Sequence, residues 1–222
     1  MSEPDESRQF ASSPCYMHEL GNDWERVQAW RGERRRRLLQ QRLGVDSETR
    51  RNLNRVIVTQ LTELLNARRY PILGFYWPIR GEIDVRELAR IHHAAGGKTA
   101  LPVIVTRHAP VEFWEWHPGM PTERGVLDIP VPRERRILLP DVLIIPLLGF
   151  DRAYFRLGYG GGYYDRTLAA ATPRPLAIGI ASVDAELHTI HPQPHDVPMD
   201  LIVTDQFVLG ADAVGRRGNP GE

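Results

Sequence analysis

LIIPLLGFDRAYFRLGYGGGYYDRTL, the stretch from Leu143 to Leu168, decides how the rest of the chain is read. Val142 to Leu148 is rich in β-branched residues and leucine, the pattern of a strand buried on both faces. The strand empties into a loop holding Arg156, Gly158, Gly160, Gly161 and Gly162; two tyrosines, Asp165 and a helix-patterned run follow. Glycines let backbone N–H groups close on an anion, and a helix N-terminus behind them adds a favourable dipole. Arg156 offers a planar fork suited to phosphate. Asp165 is a hard oxygen ligand of the kind Mg²⁺ accepts beside a nucleotide. The pattern is that of a polyphosphate site in a Gly-rich loop after a buried strand.

Two familiar nucleotide motifs do not fit. The dinucleotide fingerprint places its glycines directly after the strand, whereas here they come later and are spaced G-x-G-G-G. Gly97-Lys98-Thr99 resembles the end of a phosphate-binding loop, but His92 stands where the first glycine belongs and Lys98 leads into a strand. A flexible surface loop would explain the glycines alone. It would not explain an arginine, paired tyrosines and an aspartate at a helix start, since low-complexity linkers carry Ser or Gln.

Outward from this stretch, apolar spacing predicts a helix over 24–43 and a second amphipathic helix over 53–65. Strands are expected at Ile72–Trp77, Ala100–Val105, Leu176–Ala181 and Leu201–Thr204, with Val111–Trp116 as a hairpin or edge element. Asp84 followed by Glu87 predicts a capping box at the start of another helix. Alternation of this kind indicates an α/β fold, a single-domain layered sheet with flanking helices, spanning 24–206. Residues 1–23 and 207–222 are polar or Gly, Arg and Pro rich and are expected to be tails.

The 222 residues carry 28 basic and 28 acidic side chains, so no global field recruits nucleic acid or acidic membranes. One cysteine, Cys15, forms no intrachain disulfide and fits a reducing compartment. No apolar run approaches the ~20 residues of a membrane span, and the N-terminus lacks a signal-peptide core. A soluble cytoplasmic protein is expected. Cys15 with His18, and His188, His191 and His195 with Asp196, mimic metal-ligand spacing; two ligands make no site, and prolines interrupt the second group. The arginines at 34–37, with Arg31 and Arg42, could contact RNA, or form a solvated helical face balanced by Glu25, Glu33 and Glu48.

Four segments carry a resemblance to one family. Gly149-Phe150-Asp151, Arg156-Leu157-Gly158, Gly160 and Gly162-Tyr163-Tyr164-Asp165 form the longest; the others are Pro78–Asp84 (PIRGEID), Asp128-Ile129-Pro130 with Pro132, and His195-Asp196 with Asp200. Together they resemble the 5-formyltetrahydrofolate cyclo-ligases, also called 5,10-methenyltetrahydrofolate synthetases, from about Trp24 to Asp205. The resemblance implies ATP- and Mg²⁺-dependent conversion of 5-formyltetrahydrofolate to 5,10-methenyltetrahydrofolate with release of ADP and phosphate. It implies an iminium phosphate on the formyl oxygen, displaced by N10. Arg31, Arg156, Leu157, Gly158, Tyr159, Gly160, Gly161, Gly162, Tyr163 and Tyr164 would bind ATP, with Arg156 and Tyr163 acting in catalysis. Trp77, Glu82 and Tyr163 would hold the folate, and Asp165 and Asp196 the Mg²⁺. The implied partners are these two substrates, without nucleic acid or membrane; the chain would be a monomer, with a dimer as the alternative.

One departure stands out. The family's first helix usually carries a lysine four residues before an arginine, and with Arg31 as the arginine the lysine position is Val27. The chain has one lysine, Lys98, among 28 basic residues, leaving 27 arginines. Arg26, Arg34 or Arg35 could substitute, and helical spacing ranks Arg34 first. The departure motivates a second reading, a catalytically inactive folate- or nucleotide-binding relative; an RNA-contacting module using the arginine helix is the third.

Overall fold

The apolar run ahead of the glycines forms the middle strand of a seven-stranded sheet. The computed structural model describes residues 24–68 and 70–210, so the expectations for residues 1–23, with Cys15 and His18, and for residues beyond 210 lie outside the described residues. The central strand β6 (Val142–Pro146) pairs in parallel with β1 (Ile72–Gly74) on one side and β9 (Leu176–Ile180) on the other. Beyond β1 come β2 (Lys98–Val103), parallel, and β3 (Glu112–Glu115), antiparallel at the edge. Beyond β9 come β10 (Leu201–Val203), parallel, and β11 (Val208–Leu209), antiparallel. The last strand corrects the expected domain end: residues 208–209 pair with the sheet, so the fold extends past 206.

Both faces of β6 are covered, as its composition required. Val142 and Ile144 pack among α2 (Ser47–Asn66) and α3 (Arg86–Ala94), against Ile57, Leu61 and Leu88. Leu143 and Ile145 pack on the opposite face with Leu168 of α4 (Tyr163–Ala170). α1 (Trp24–Gly44) lies apart and brings Leu38 against Leu148 and Leu157. Its inward face is Val27, Arg31 and Leu38, while Trp24 is exposed.

Several local expectations change. β1 ends at Gly74, and the chain to Trp77 continues without ladder pairing except for the Phe75 N–H on the Ala100 carbonyl. The capping box does not form. Asp84 accepts the Arg86 N–H at 3.0 Å, whereas Glu87 turns to Arg90 and away from the helix start. Two short hairpins were not foreseen. β4 (Thr122–Arg124) pairs with β5 (Pro130–Pro132), turning through left-handed Leu127 and Asp128. β7 (Gly149–Phe150) pairs with β8 (Arg156–Leu157), inside the segment read as a loop.

Candidate active site

From β1 the chain moves outward to β2, and from β6 it moves the other way to β9. The β1/β6 boundary is therefore a topological switch point, where open α/β sheets bind ligands beyond the strands' carboxyl ends. A cleft lies there, lined by Tyr76 and Glu82 after β1, Leu147 and Leu148 after β6, and Leu38 and Arg42 of α1.

The glycine loop enters from β8. Arg156 is on this strand, buried, not in the loop as read from sequence. Its Nη2 lies 2.7 Å from Asp165 Oδ1, and its Nη1 donates to the Val197 carbonyl at 2.7 Å. Burial lowers the guanidinium pKa, opposed chiefly by the Asp165 charge. Asp165 Oδ1 also accepts the Val197 N–H at 3.0 Å. Arg156 thus braces Asp165 and the 197 segment in this state. Leu157 is core, and its carbonyl accepts the Leu148 N–H.

Gly160 and Gly162 have φ of 96° and 64°, left-handed values that favour glycine. Gly162 precedes α4, so the first-turn N–H groups behind Tyr163 and Tyr164 open toward the loop. Arg35 closes the loop from α1, donating from Nε to the Gly158 carbonyl at 2.8 Å, and a Cβ on Gly160 would stand 3.5 Å from its guanidinium carbon. Burial and neighbouring Arg31 lower the Arg35 pKa, and Asp196 raises it. Arg34, ranked first from helical spacing, instead lies over the Trp30 ring at 5.3 Å. Tyr163 sits under the Arg166 guanidinium at 5.4 Å, and Tyr164 packs into the core, where burial raises its hydroxyl pKa.

Arg31 is buried and fully engaged. Its Nε donates to the Ile190 carbonyl at 3.0 Å, and its Nη2 to the His191 carbonyl at 2.8 Å and to Asp196 Oδ2 at 2.6 Å. Asp196 also accepts the Gln193 N–H at 2.7 Å. Asp165 and Asp196 are brought together by the chain itself, because the residue after Asp196 donates its N–H to Asp165. Among the described residues, no group of three or more His, Cys, Asp or Glu is placed to hold a metal. The histidines do other work: His191 meets Trp30 edge-on at 4.7 Å, and His195 meets Trp24 at 5.8 Å.

Across the cleft, Glu82 is 7% exposed and Oε2 accepts the Ile79 N–H at 2.9 Å. Burial pushes its carboxyl above the usual range; the Ile79 N–H, Arg42, Tyr159 and Arg80 pull it back. The Tyr159 hydroxyl, carried by the glycine loop, accepts from Arg42 Nη1 at 3.4 Å, and Arg42 Nη2 donates to the Leu147 carbonyl. Trp77, half-buried, meets Trp116 edge-on at 5.8 Å and lies under the Arg86 guanidinium at 5.2 Å. Sequence reasoning named Arg35 as a candidate but ranked it behind Arg34, and gave Arg42 no place in the site. The signal for Arg35 was its place one turn after Arg31, since residues four apart share a helix face. Arg42 lies further along the same helix and carried no such cue.

An open, mostly parallel sheet with its cleft at the switch point places the chain among α/β enzymes that assemble their sites from strand-end loops. The family follows from the sequence as a whole. The profile of the 5-formyltetrahydrofolate cyclo-ligase family matches residues 27–205, and the chain belongs to that family. It is 34% identical over 117 residues to the 5-formyltetrahydrofolate cyclo-ligase of Mycolicibacterium smegmatis, covering 49% of this chain and 60% of that one. To the 5-formyltetrahydrofolate cyclo-ligase of Haemophilus influenzae it is 29% identical over 174 residues, covering 74% and 88%. The solution structure of Aquifex aeolicus 5,10-methenyltetrahydrofolate synthetase superposes with a TM-score of 0.71 at 25% identity, covering 86% of this chain and 96% of that one.

Proposed function

We infer that this protein converts 5-formyltetrahydrofolate to 5,10-methenyltetrahydrofolate, using ATP and Mg²⁺ and releasing ADP and phosphate. The observation that carries the reading is that Arg42, which lines the switch-point cleft with the buried Glu82, also donates to Tyr159 of the glycine loop, so the loop stands beside the cleft that holds this carboxylate. A pterin presents adjacent N–H donors that Glu82 can accept in pairs, and Trp77 and Tyr163 supply ring surface.

The formyl oxygen of an amide is a poor leaving group. Transfer of the γ-phosphoryl group to that oxygen breaks the β–γ bridge and releases ADP. N10 then attacks the formyl carbon, loses its proton to solvent, and phosphate departs carrying the formyl oxygen. The protein's part is to hold two substrates in line and neutralise phosphate charge. The loop amides of Gly158 to Gly162 and Arg35 are the primary ATP contacts on this reading. Arg31 and Arg156 stand behind them, on Asp196 and Asp165. The four-residue spacing of Arg31 and Arg35 also accounts for Val27: Arg31 takes the place of the family's lysine and Arg35 that of its arginine, one turn later. Val27, 1% exposed, is then simply core.

Asp165 and Asp196 fit Mg²⁺, an ion that keeps several waters and takes its remaining ligands from one or two carboxylates and substrate phosphates. Bound there, Mg²⁺ would neutralise the phosphates. Three arginines of the basic helix, at 31, 35 and 42, turn inward to Asp196, Gly158 and Leu147, which disfavours an RNA-reading face. Action in the cytoplasm as a monomer completes the reading. Purified protein mixed with MgATP and 5-formyltetrahydrofolate should develop the methenyl chromophore with equimolar ADP; absence of the chromophore with both ligands bound would favour the inactive-relative reading.

A further inference from the structure

Tyr159 belongs by sequence to the nucleotide loop, yet its hydroxyl reaches the opposite wall of the cleft. It accepts from Arg42 Nη1 at 3.4 Å and interacts electrostatically with the Glu82 carboxylate, while Arg80 lies over its ring at 5.5 Å. Its neighbours in the loop are fixed by other means: Arg35 holds the Gly158 carbonyl, and Gly160 turns through a left-handed conformation. We propose that Tyr159 is a positioning residue that couples the two substrate sites, so that nucleotide on the glycine loop orients and ionises Glu82 for the pterin.

This coupling rests on the functional reading above and on one shared peptide segment. A nucleotide that engages the amides of Gly158 to Gly162 must fix the backbone on both sides of Tyr159. The hydroxyl is then set against Glu82 at the cost of side-chain rotamers alone, the backbone being fixed already. Glu82 has one backbone donor, the Ile79 N–H on Oε2. A second donor favours the charged carboxylate that paired pterin N–H groups require. The groups around Glu82 are Arg42 and Arg80, which favour its charge, the Tyr159 hydroxyl, and the neutral phenols of Tyr76 and Tyr164. Burial and the Glu82 charge push the Tyr159 hydroxyl up to about 12, so it remains a donor at neutral pH. Such coupling is reciprocal: whatever factor nucleotide adds to folate affinity, folate adds to nucleotide affinity.

Tyr159→Phe removes the hydroxyl and keeps the ring under Arg80. Its side chain is 40% exposed, so the variant is expected to fold, and its melting temperature checks this. The experiment titrates 5-formyltetrahydrofolate into wild type and variant, with and without the Mg²⁺ complex of a non-hydrolysable ATP analogue. Wild type should bind the folate roughly tenfold tighter with the analogue present. In Tyr159→Phe the gain should fall to within about twofold, and as pH is lowered the folate affinity should decline at a higher pH than in wild type. A variant that keeps the wild-type gain, or a wild type that binds both ligands independently, overturns the coupling and leaves the functional reading standing. A wild type that binds only one of the two overturns both.

Discussion

Arg156 Nη2 and Asp165 Oδ1 stand 2.7 Å apart, with only 6% and 18% of their side chains exposed. A pair this buried is strongly destabilised by removal of one partner, because the remaining charge loses its compensation. Arg156→Ala should therefore lower stability by about 3–5 kcal/mol as well as abolish turnover. The Arg156→Ala/Asp165→Ala double variant should recover part of the stability and none of the activity. Denaturant melts of the three variants check this; an Arg156→Ala protein as stable as wild type would mean that the guanidinium serves the ligand alone.

Arg35 is the arginine of the first helix that donates to the backbone of the glycine loop. Arg35→Ala should raise the KM for ATP by about tenfold or more, the loss of one charge-assisted hydrogen bond at 1.5–3 kcal/mol. Arg34→Ala should leave it unchanged, since Arg34 rests on Trp30. Val27→Lys should not tighten ATP. It places an ammonium at a position 1% exposed and should unfold or severely destabilise the chain. Nucleotide titrations and thermal melts separate these outcomes.

Asp151 is the aspartate of the GFD motif, 2% exposed, and it is structural. Oδ1 accepts the Ala153 and Phe155 N–H groups at 3.0 and 3.1 Å, and Oδ2 accepts the Ile190 N–H at 3.0 Å. An amide cannot accept on both sides, so Asp151→Asn leaves a buried donor unpaired and should cost about 1–3 kcal/mol. Both KM values should stay near wild type in the folded fraction. A selective rise in either would give Asp151 a ligand.

The strand Val142–Pro146 was legible from its continuous apolar run, and the helix after the glycines from its apolar period. The tyrosines and Asp165 were correctly placed at that helix start. Arg156 was misplaced because a two-residue hairpin has too few positions for a period to register; pairing with Gly149 and Phe150 comes from tertiary closure. The same holds for Val208–Leu209, a strand only because β10 offers it an edge. The site's two halves could be named separately, but no spacing in sequence reports that Tyr159 reaches Glu82, 77 positions away. Arg31 and Arg35 show the limit differently: helical period put Arg34 and Arg35 both near Val27's face, and only the position of the loop selects between them.

Glu82 supplies the pH dependence. Burial raises its folded-state pKa above the unfolded value, so its contribution to apo stability is present at low pH and is lost as pH rises through the folded pKa. Folate binding, which needs the carboxylate, runs the other way and strengthens as pH rises through the same point. Glu82→Gln should make the ligand-free protein more stable at neutral pH, with each 1 kcal/mol appearing as about 2–4 °C. It should also raise the folate KM by roughly ten- to a hundred-fold, the 1–3 kcal/mol of pterin donors left unpaired. A variant that melts lower and binds folate normally would contradict both halves.

Asp165→Asn and Asp196→Asn each remove one hard ligand while keeping side-chain size. Both should raise the Mg²⁺ concentration needed for half-maximal turnover, and the double variant should not be rescued within the millimolar range. Mg²⁺ titration curves that superpose on wild type for both single variants would leave the two carboxylates as partners of Arg156 and Arg31 only.

Phosphoryl transfer to the formyl group is tested most directly by the fate of the formyl oxygen. Wild-type protein supplied with MgATP and 5-formyltetrahydrofolate labelled with ¹⁸O in the formyl group should yield inorganic phosphate carrying one ¹⁸O for each methenyl product formed. Methenyl product accompanied by unlabelled phosphate, or ATP consumed with no methenyl product, would contradict phosphoryl transfer to the formyl group.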